Sequence, residues 1–492
     1  MKKGILKYAL AAVCLLVSLA SCDLDSKVYS ALTDGNFPQT ESDARAMLTG
    51  MYANFKANSG GVNDNANGGW ALPVFATGEG WWGISEYTTD ECRHSGNRWS
   101  DFSWGSSLDT YYFYTNSRNI TRCTKLLDVI QNMSGITDDT RNELMAEVKC
   151  LRGWLMFCYY DFYGPIPYTV DPTKIDDIKY EARPTKEVYF AQMVKDLTEA
   201  LPYLYDKTNN TSNWGRVNKG LCSMLLMKTY MNDHQWDKAL PYAESLMKMG
   251  YTLAENYYDV FNEEHNNENI WSVPSGPQAG NEFFFYAMPG DCAKVCGQDV
   301  NPCWGVYQMP WAFYDTYTKG DKRLAGISDH YTTPGGKEYT RENPSNSLVN
   351  GAIVLKYFYD KDHMMAGNAP LVAFRYADVL LSMAEILNNL NGPSEKALGY
   401  IKQITDRAGT TATIPSDILQ SKEKFNEFLL AERGRELYWE GWRRQDLIRF
   451  GKYIEVARKR GFPAKDYMTL FPIPPKVINE SGGVVKNNPG YE

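Results

Sequence analysis

Three carboxylates recur at every fourth residue, Glu432, Glu436 and Glu440, within the stretch LLAERGRELYWEGWRRQDLIRFG from Leu429 to Gly451. Paired carboxylates are the working groups of glycoside hydrolysis, where they flank the bond at about 5 to 9 Å. Here Arg435, Trp439, Arg443 and Asp446 follow on the next stripe, so one helix would pair Glu432 with Arg435 and Glu440 with Arg443 within a turn. Such partners hold a carboxylate ionised, whereas a general acid needs a raised pKa. The stretch reads as a single charged, aromatic-studded helix carrying a lattice of ion pairs shielded from solvent. The histidines (His94, His234, His265, His330, His363) are scattered, and there is no H-E-x-x-H, G-x-S-x-G or glycine-rich phosphate loop. Catalysis is not expected, and no cofactor is implied.

A second kind of chemistry is open to the tryptophans. A pyranose ring offers a C–H face to flat apolar side chains and hydroxyls to amides, acids and arginine, and tryptophan serves the first role best. Trp81 and Trp82 precede Glu86, Arg98 and Trp99 precede Asp101, and Trp304 and Trp311 enclose Tyr307 and Gln308. All lie in segments without hydrophobic periodicity, where loops carry function. The expectation is an exposed aromatic platform of Trp81 and Trp82, supported by Trp99 and Trp304, with Arg98 and Trp311 among the glycan-binding residues. Trp104, Trp154, Trp236, Trp439 and Trp442 sit beside or on helical patterns and read as structural. Cys292, Cys296 and Cys303 cluster in a Gly/Pro-rich loop; a disulfide is permitted there, and a zinc site rests on spacing alone.

These groups need a scaffold, and helical spacing supplies it. Ala44, Met47, Leu48, Met51 and Tyr52 form an amphipathic pattern that Thr40 or Ser42 could cap. Residues 57–106 lose all period; the run Asn63-x-Asn65-x-Asn67-Gly68 has Val74 where a calcium loop needs its acid, and reads as a turn. Helical spacing resumes in Tyr111–Ile130 and Glu143–Tyr160, a helical hairpin that Pro165 and Pro167 stop. Thr185 is placed to cap the next helix. In a tetratricopeptide frame Leu226, Tyr230, Ala239, Ala243 and Leu246 take the fixed positions, and Leu381, Ala384, Ala397, Ile401 and Ile404 fit it in part. Between them, residues 251–371 are rich in Gly, Pro, Asn and aromatics, with a strand-like Asn269–Pro274. The predicted fold is mostly α, a tetratricopeptide-like helical-repeat scaffold over 22–250 and 372–492, with 251–371 an inserted irregular subdomain.

The chain resembles the SusD/RagB family at several sites. The pattern E-R-x-x-E-L-x-x-E-G-x-R-x-x-D-L-x-R-x-G is filled by Glu432, Arg433, Glu436, Leu437, Glu440, Gly441, Arg443, Asp446, Leu447, Arg449 and Gly451. Ala146, Glu147, Leu151, Arg152, Phe157, Tyr163, Gly164 and Pro167 match a second motif, and Arg375–Leu381 with Ala384 and Glu385 match a third. Pro472-Ile473-Pro474 and Asn488-Pro489-Gly490-Tyr491 resemble the family's ending, with Lys486 departing from its usual Gln. The resemblance implies a cell-surface lipoprotein of Bacteroidota that captures oligo- or polysaccharide and delivers it to a SusC-like TonB-dependent transporter in the outer membrane. No family motif assigns the binding aromatics. The alternative is a non-catalytic protein-interaction scaffold of helical repeats, with a glycoside hydrolase third.

Lys2, Lys3 and Lys7 precede the apolar run Ala9–Ala20, then Ser21 and Cys22. About 12 apolar residues are too few to span a bilayer and read as a signal peptide over 1–21. Leu19-Ala20-Ser21-Cys22 looks like a lipobox, which makes Cys22 the lipidation site and places the mature chain on the outer membrane, facing the exterior. Removing residues 1–21 takes three lysines and no acids, moving the net charge from −8 to −11. Nucleic acid is a poor partner for such a chain.

Overall fold

The structure, a computed structural model, describes residues 38, 40–57, 62–64, 69–95, 99–106, 110–175, 179–209, 211–276, 280–357 and 369–491; of 62–64 and 69–71 only the backbone is described. Cys22 and Arg98 lie outside these residues.

The helices follow from capped, periodic segments. Helix α1 (Glu41–Tyr52) opens on Thr40, whose hydroxyl accepts the Asp43 N–H at 3.2 Å while Asp43 accepts the Thr40 N–H at 3.0 Å. A short hairpin of β1 (Val62–Asp64) and β2 (Gly69–Ala71) follows, its turn falling outside the described residues. Then come α2 (Trp81–Tyr87) and β3 (Arg93–His94). The expected helical hairpin is α3 (Arg118–Asn132) with α4 (Asp138–Tyr163), which ends at Gly164 before Pro165. Thr185 caps α5 (Lys186–Ala200).

Helices α6 (Lys219–Asn232) and α7 (Trp236–Lys248) pack as one repeat unit, with Leu226, Ala239, Ala243 and Leu246 fully buried. The chain then leaves the scaffold. It departs through β4 (Asn269–Val273) and returns through β8 (Leu371–Arg375), and these two strands pair antiparallel with Leu371 opposite Val273. Within the excursion β5 (Tyr307–Pro310), β6 (Ile327–Ser328) and β7 (Gly351–Val354) form a sheet with β3, in the order β3-β5-β7-β6. Directly after the neck, α8 (Tyr376–Asn391) and α9 (Glu395–Ala408) make a second unit, and α8 packs on α7, so the stack continues across the excursion. The mostly helical, tetratricopeptide-like prediction holds.

One expectation fails. Leu429–Gly451 is not one helix: α10 (Lys422–Leu437) stops, Tyr438 to Trp442 cross over, and α11 (Arg443–Arg449) begins anew. Trp439 at φ +54° and Gly441 at φ +87° are left-handed, which no α-helix accommodates. The predicted Glu440–Arg443 pair is therefore absent, whereas Arg435 does reach Glu432 at 2.6 Å. Among the described residues no helix is long and apolar enough to cross a membrane.

Candidate functional site

The three signature carboxylates meet arginines from distant elements. Arg375, at the end of β8, contacts Glu436 at 2.6 Å and both Glu268 and Glu440 at 2.8 Å. Arg323 contacts Glu432 at 2.7 Å, Asp321 at 2.8 Å and Glu436 at 3.2 Å. Arg407 joins Glu268 and Glu436, and the Lys356 ammonium sits 2.7 Å from Glu440. Burial pushes the Glu436 carboxyl up, but the Arg407, Arg375 and Arg323 guanidiniums outweigh it and hold its pKa at about 2. A carboxyl held that far down cannot serve as a general acid near neutrality. A second node joins Arg433 to Asp446 and Asp378, Lys228 to Asp378, and Arg449 to Glu385 and Asp446, all at 2.6–2.9 Å. Together the nodes fasten α10 and α11 to both repeat units and to the excursion. The lattice is architecture.

The crossing between α10 and α11 is held by α2 and the segment that follows it. Glu91 accepts the Trp439 backbone N–H at 3.0 Å, and its carbonyl accepts the indole N–H at 2.8 Å; Glu86 accepts the Gly441 N–H. The two carboxyls act on each other across this buried joint. Burial raises Glu86 to about 7, and burial and the Glu86 charge raise Glu91 well above its ordinary value.

This arrangement overturns the exposed platform expected of Trp81, Trp82 and Trp99. Trp81 and Trp82 are fully buried and Trp99 is 3% exposed. Trp81 donates to Asp161 at 2.8 Å and packs edge-on against Trp442; Trp82 packs edge-on against Phe283; Trp99 packs against Trp104 and Phe471. Helix α2, which opens on Trp81 and Trp82, and the loop bearing Trp99 place these indoles under α11 and the C-terminal segment, where they form the wall that the crossing turns against. Glu86, expected to meet a ligand, is buried with them, and so is Gln308.

The other two tryptophans fare differently. Trp304, just before β5, is 63% exposed, the most exposed large apolar side chain among the described residues. Its ring lies 4.6 Å from half-buried Phe285 and 5.8 Å from buried Tyr286, and the Trp304 backbone N–H donates to the Phe285 carbonyl at 3.0 Å. Tyr286 in turn stands 5.3 Å from Tyr307, which contacts His94 of β3 at 5.4 Å. A ladder of rings thus ties the open indole to the core. At the other end of β5, half-buried Trp311 donates to the Leu348 carbonyl at 3.1 Å and carries the Arg341 guanidinium 4.5 Å above its ring. Arg341 is itself fixed by two bonds to Asp315, at 2.6 and 2.8 Å. Phe285 was missed in the sequence; the run Phe283-Phe284-Phe285-Tyr286 was its only sign.

Cys292 and Cys296 are free thiols, and burial raises the Cys292, Cys296 and Cys303 thiols to about 12, 12 and 11. Among the described residues no group of His, Cys, Asp or Glu is arranged to hold a metal ion.

Comparison with known proteins matches both halves of this architecture. The SusD family profile matches residues 311–491, and a second profile, described as starch-binding associating with outer membrane, matches 39–220. SusD-like protein P25 of Formosa agariphila is 24% identical over 485 residues, covering 91% of this chain and 90% of that protein. The starch-binding protein SusD of Bacteroides thetaiotaomicron is 23% identical over 578 residues, covering 100% and 99%. Among solved structures, surface glycan-binding protein A from Bacteroides fluxus superposes with a TM-score of 0.75 at 20% identity, covering 92% of this chain and 100% of that one. Surface glycan-binding protein A from Bacteroides thetaiotaomicron, in complex with laminarihexaose, gives 0.73 at 19% identity, with the same coverage.

Proposed function

This chain belongs to the SusD/RagB family, and we propose on that premise that it is a cell-surface glycan-binding protein. It captures an oligo- or polysaccharide and passes it to a SusC-like TonB-dependent transporter, while a lipid on Cys22 holds it to the outer face of the outer membrane. The observation that carries the binding reading is the open indole of Trp304, backed by Phe285 and fixed at its base by Tyr286. An exposed aromatic of this size, held rigid from below, presents the flat apolar face that stacks on a sugar ring at little entropic cost. Trp311 with Arg341 and Asp315 supplies a second aromatic edge beside groups that bond hydroxyls. The names of relatives, a starch-binding protein and a complex with laminarihexaose, support the ligand class.

The test is retention and calorimetry on a panel of soluble polysaccharides. Trp304→Ala is expected to weaken binding to the retained glycan at least about fivefold, the scale of one aromatic contact of about 1 kcal/mol, with the melting curve unchanged. Unchanged affinity refutes the site, and no retained glycan refutes the class. For the anchor, Cys22→Ala should release the protein or leave it unprocessed; a variant still membrane-bound at the same size refutes lipidation. Detergent co-purification tests the transporter.

A further inference from the structure

Between α4, α5, α6 and α11, beside Arg449 of the charge lattice and away from the Trp304 surface, lies a cavity of about 170 Å³. Phe157, Met193, Ile448 and Leu470 give it apolar walls, and Thr229 and Gln445, each 3% exposed, contribute polar groups. Both polar groups are incomplete: Thr229 Oγ1 and Gln445 Nε2 have no hydrogen-bond partner among the described residues. Gln445 is not free to turn away. Its carbonyl oxygen accepts from Asn232 at 3.0 Å, and Asn232 accepts from Arg449 at 3.0 Å.

The charges around the cavity are all matched: Lys186 with Asp233 at the mouth, Asp161 with Arg444, Arg449 with Glu385 and Asp446. An ion would have to break one of these pairs. A purely apolar guest would leave the buried amide and hydroxyl unsatisfied, and water could bridge those two groups but would leave the apolar walls uncovered. What satisfies the whole lining is a small neutral molecule with hydroxyls on its rim and C–H faces. The volume is on the scale of one small ring, since a cavity of about 150 Å³ takes up benzene. We infer that this cavity is an accessory pocket for a single neutral sugar residue, within the helical scaffold and separate from the Trp304 surface. In its ligand class alone it leans on the glycan-binding reading.

Saturation-transfer NMR on the purified protein, with glucose, galactose, mannose and xylose offered singly, tests it. At least one sugar should receive saturation from the unmodified protein and equally from Trp304→Ala. Thr229→Val, which keeps the shape and removes the hydroxyl, should weaken that sugar about fivefold, the loss of one hydrogen bond. Met193→Phe, which fills the space, should abolish it. No transfer to any sugar overturns the inference, as does transfer that survives Met193→Phe made in the Trp304→Ala background or vanishes in Trp304→Ala. Should Met193→Phe fail to fold, crystals of the unmodified protein soaked in the sugar decide: a ring against Gln445 supports the pocket, ordered water alone overturns it. Polysaccharide retention is read separately, so either site can fail without the other.

Discussion

Gly441 turns with no room for a side chain beside Trp82: a Cβ there would come within 2.9 Å of the indole Cδ1, and within 3.2 Å of Trp81 Cζ3. At φ +87° the backbone is also one that side chains resist. The signature's glycine and the tryptophan pair some 360 residues earlier are thus two halves of one joint.

Gly441→Ala should therefore cost more than conformation alone. The left-handed backbone accounts for about 1–2 kcal/mol, and overpacking against the indoles adds about 1–3. Gly451→Ala, also left-handed at φ +68° but with open space around it, isolates the first contribution. Chemical denaturation of the two variants should rank Gly441→Ala clearly the less stable.

Truncation of the buried indole tests the corrected assignment of the tryptophans. Trp82→Ala should lower stability by about 3–5 kcal/mol, whereas Trp304→Ala should stay within about 0.5 kcal/mol of the parent. Equal melting curves for the two would contradict the burial described above.

Arg375→Met leaves Glu268, Glu436 and Glu440 crowded together without their shared guanidinium. Breaking a buried pair in this way costs about 3–5 kcal/mol. Because the node has no contact with solvent, salt cannot screen it, and the deficit should be the same in dilute buffer and in concentrated sodium chloride.

The acid limb of stability follows from the depressed carboxyls. Glu436 is held at about 2, and Asp378 and Asp446 are also lowered: burial opposes their ionisation, but the surrounding Lys228, Arg433 and Arg449 prevail. Their folded-state pKa values lie below the unfolded ones, so their stabilisation is present above about pH 4 and is lost as pH falls toward 2. Urea midpoints taken downward from pH 5 should fall steeply across that window.

The Glu86–Glu91 pair acts with the opposite sign. Its folded state keeps a proton that the unfolded chain gives up near pH 4.5, so it favours the fold at low pH and the benefit is lost as pH rises toward about 7. Glu86→Gln removes one of the two titrating groups while its carbonyl can keep the Gly441 N–H. The parent's melting temperature should decline from pH 5 to 8, and the variant's decline should be smaller.

What could be read from the sequence was whatever short-range periodicity determines. The α3–α4 hairpin, the buried small residues Ala239, Ala243 and Ala397, and the Glu432–Arg435 pair are all consequences of spacing within a helix or between neighbours. The break at Tyr438–Trp442 is not, because nothing local stops the helix except Gly441; the crossing is held open by Glu86 and Glu91 from the other end of the chain. For the same reason Trp81 and Trp82 looked like loop aromatics: their burial depends on α11, which the local sequence does not reveal. Trp304 was anticipated as exposed, and its exposure stands. Its companion Phe285 was hidden in an aromatic run with no period to distinguish the open ring from the buried ones.

The neck formed by β4 and β8 gives the molecule a license to diversify. The described residues between Pro274 and Pro370 are flanked by one pair of short paired strands, while α8 goes on to dock on α7. Lengthening a closed loop costs only about 0.6 kcal/mol per doubling. A lineage carrying this architecture can therefore lengthen or rewrite the segment bearing Trp304 and Trp311 at small thermodynamic cost, exchanging one recognition surface for another, so long as Phe283 still covers Trp82, β5 still pairs with β3, and Arg323 and Lys356 are still delivered to the acids that await them.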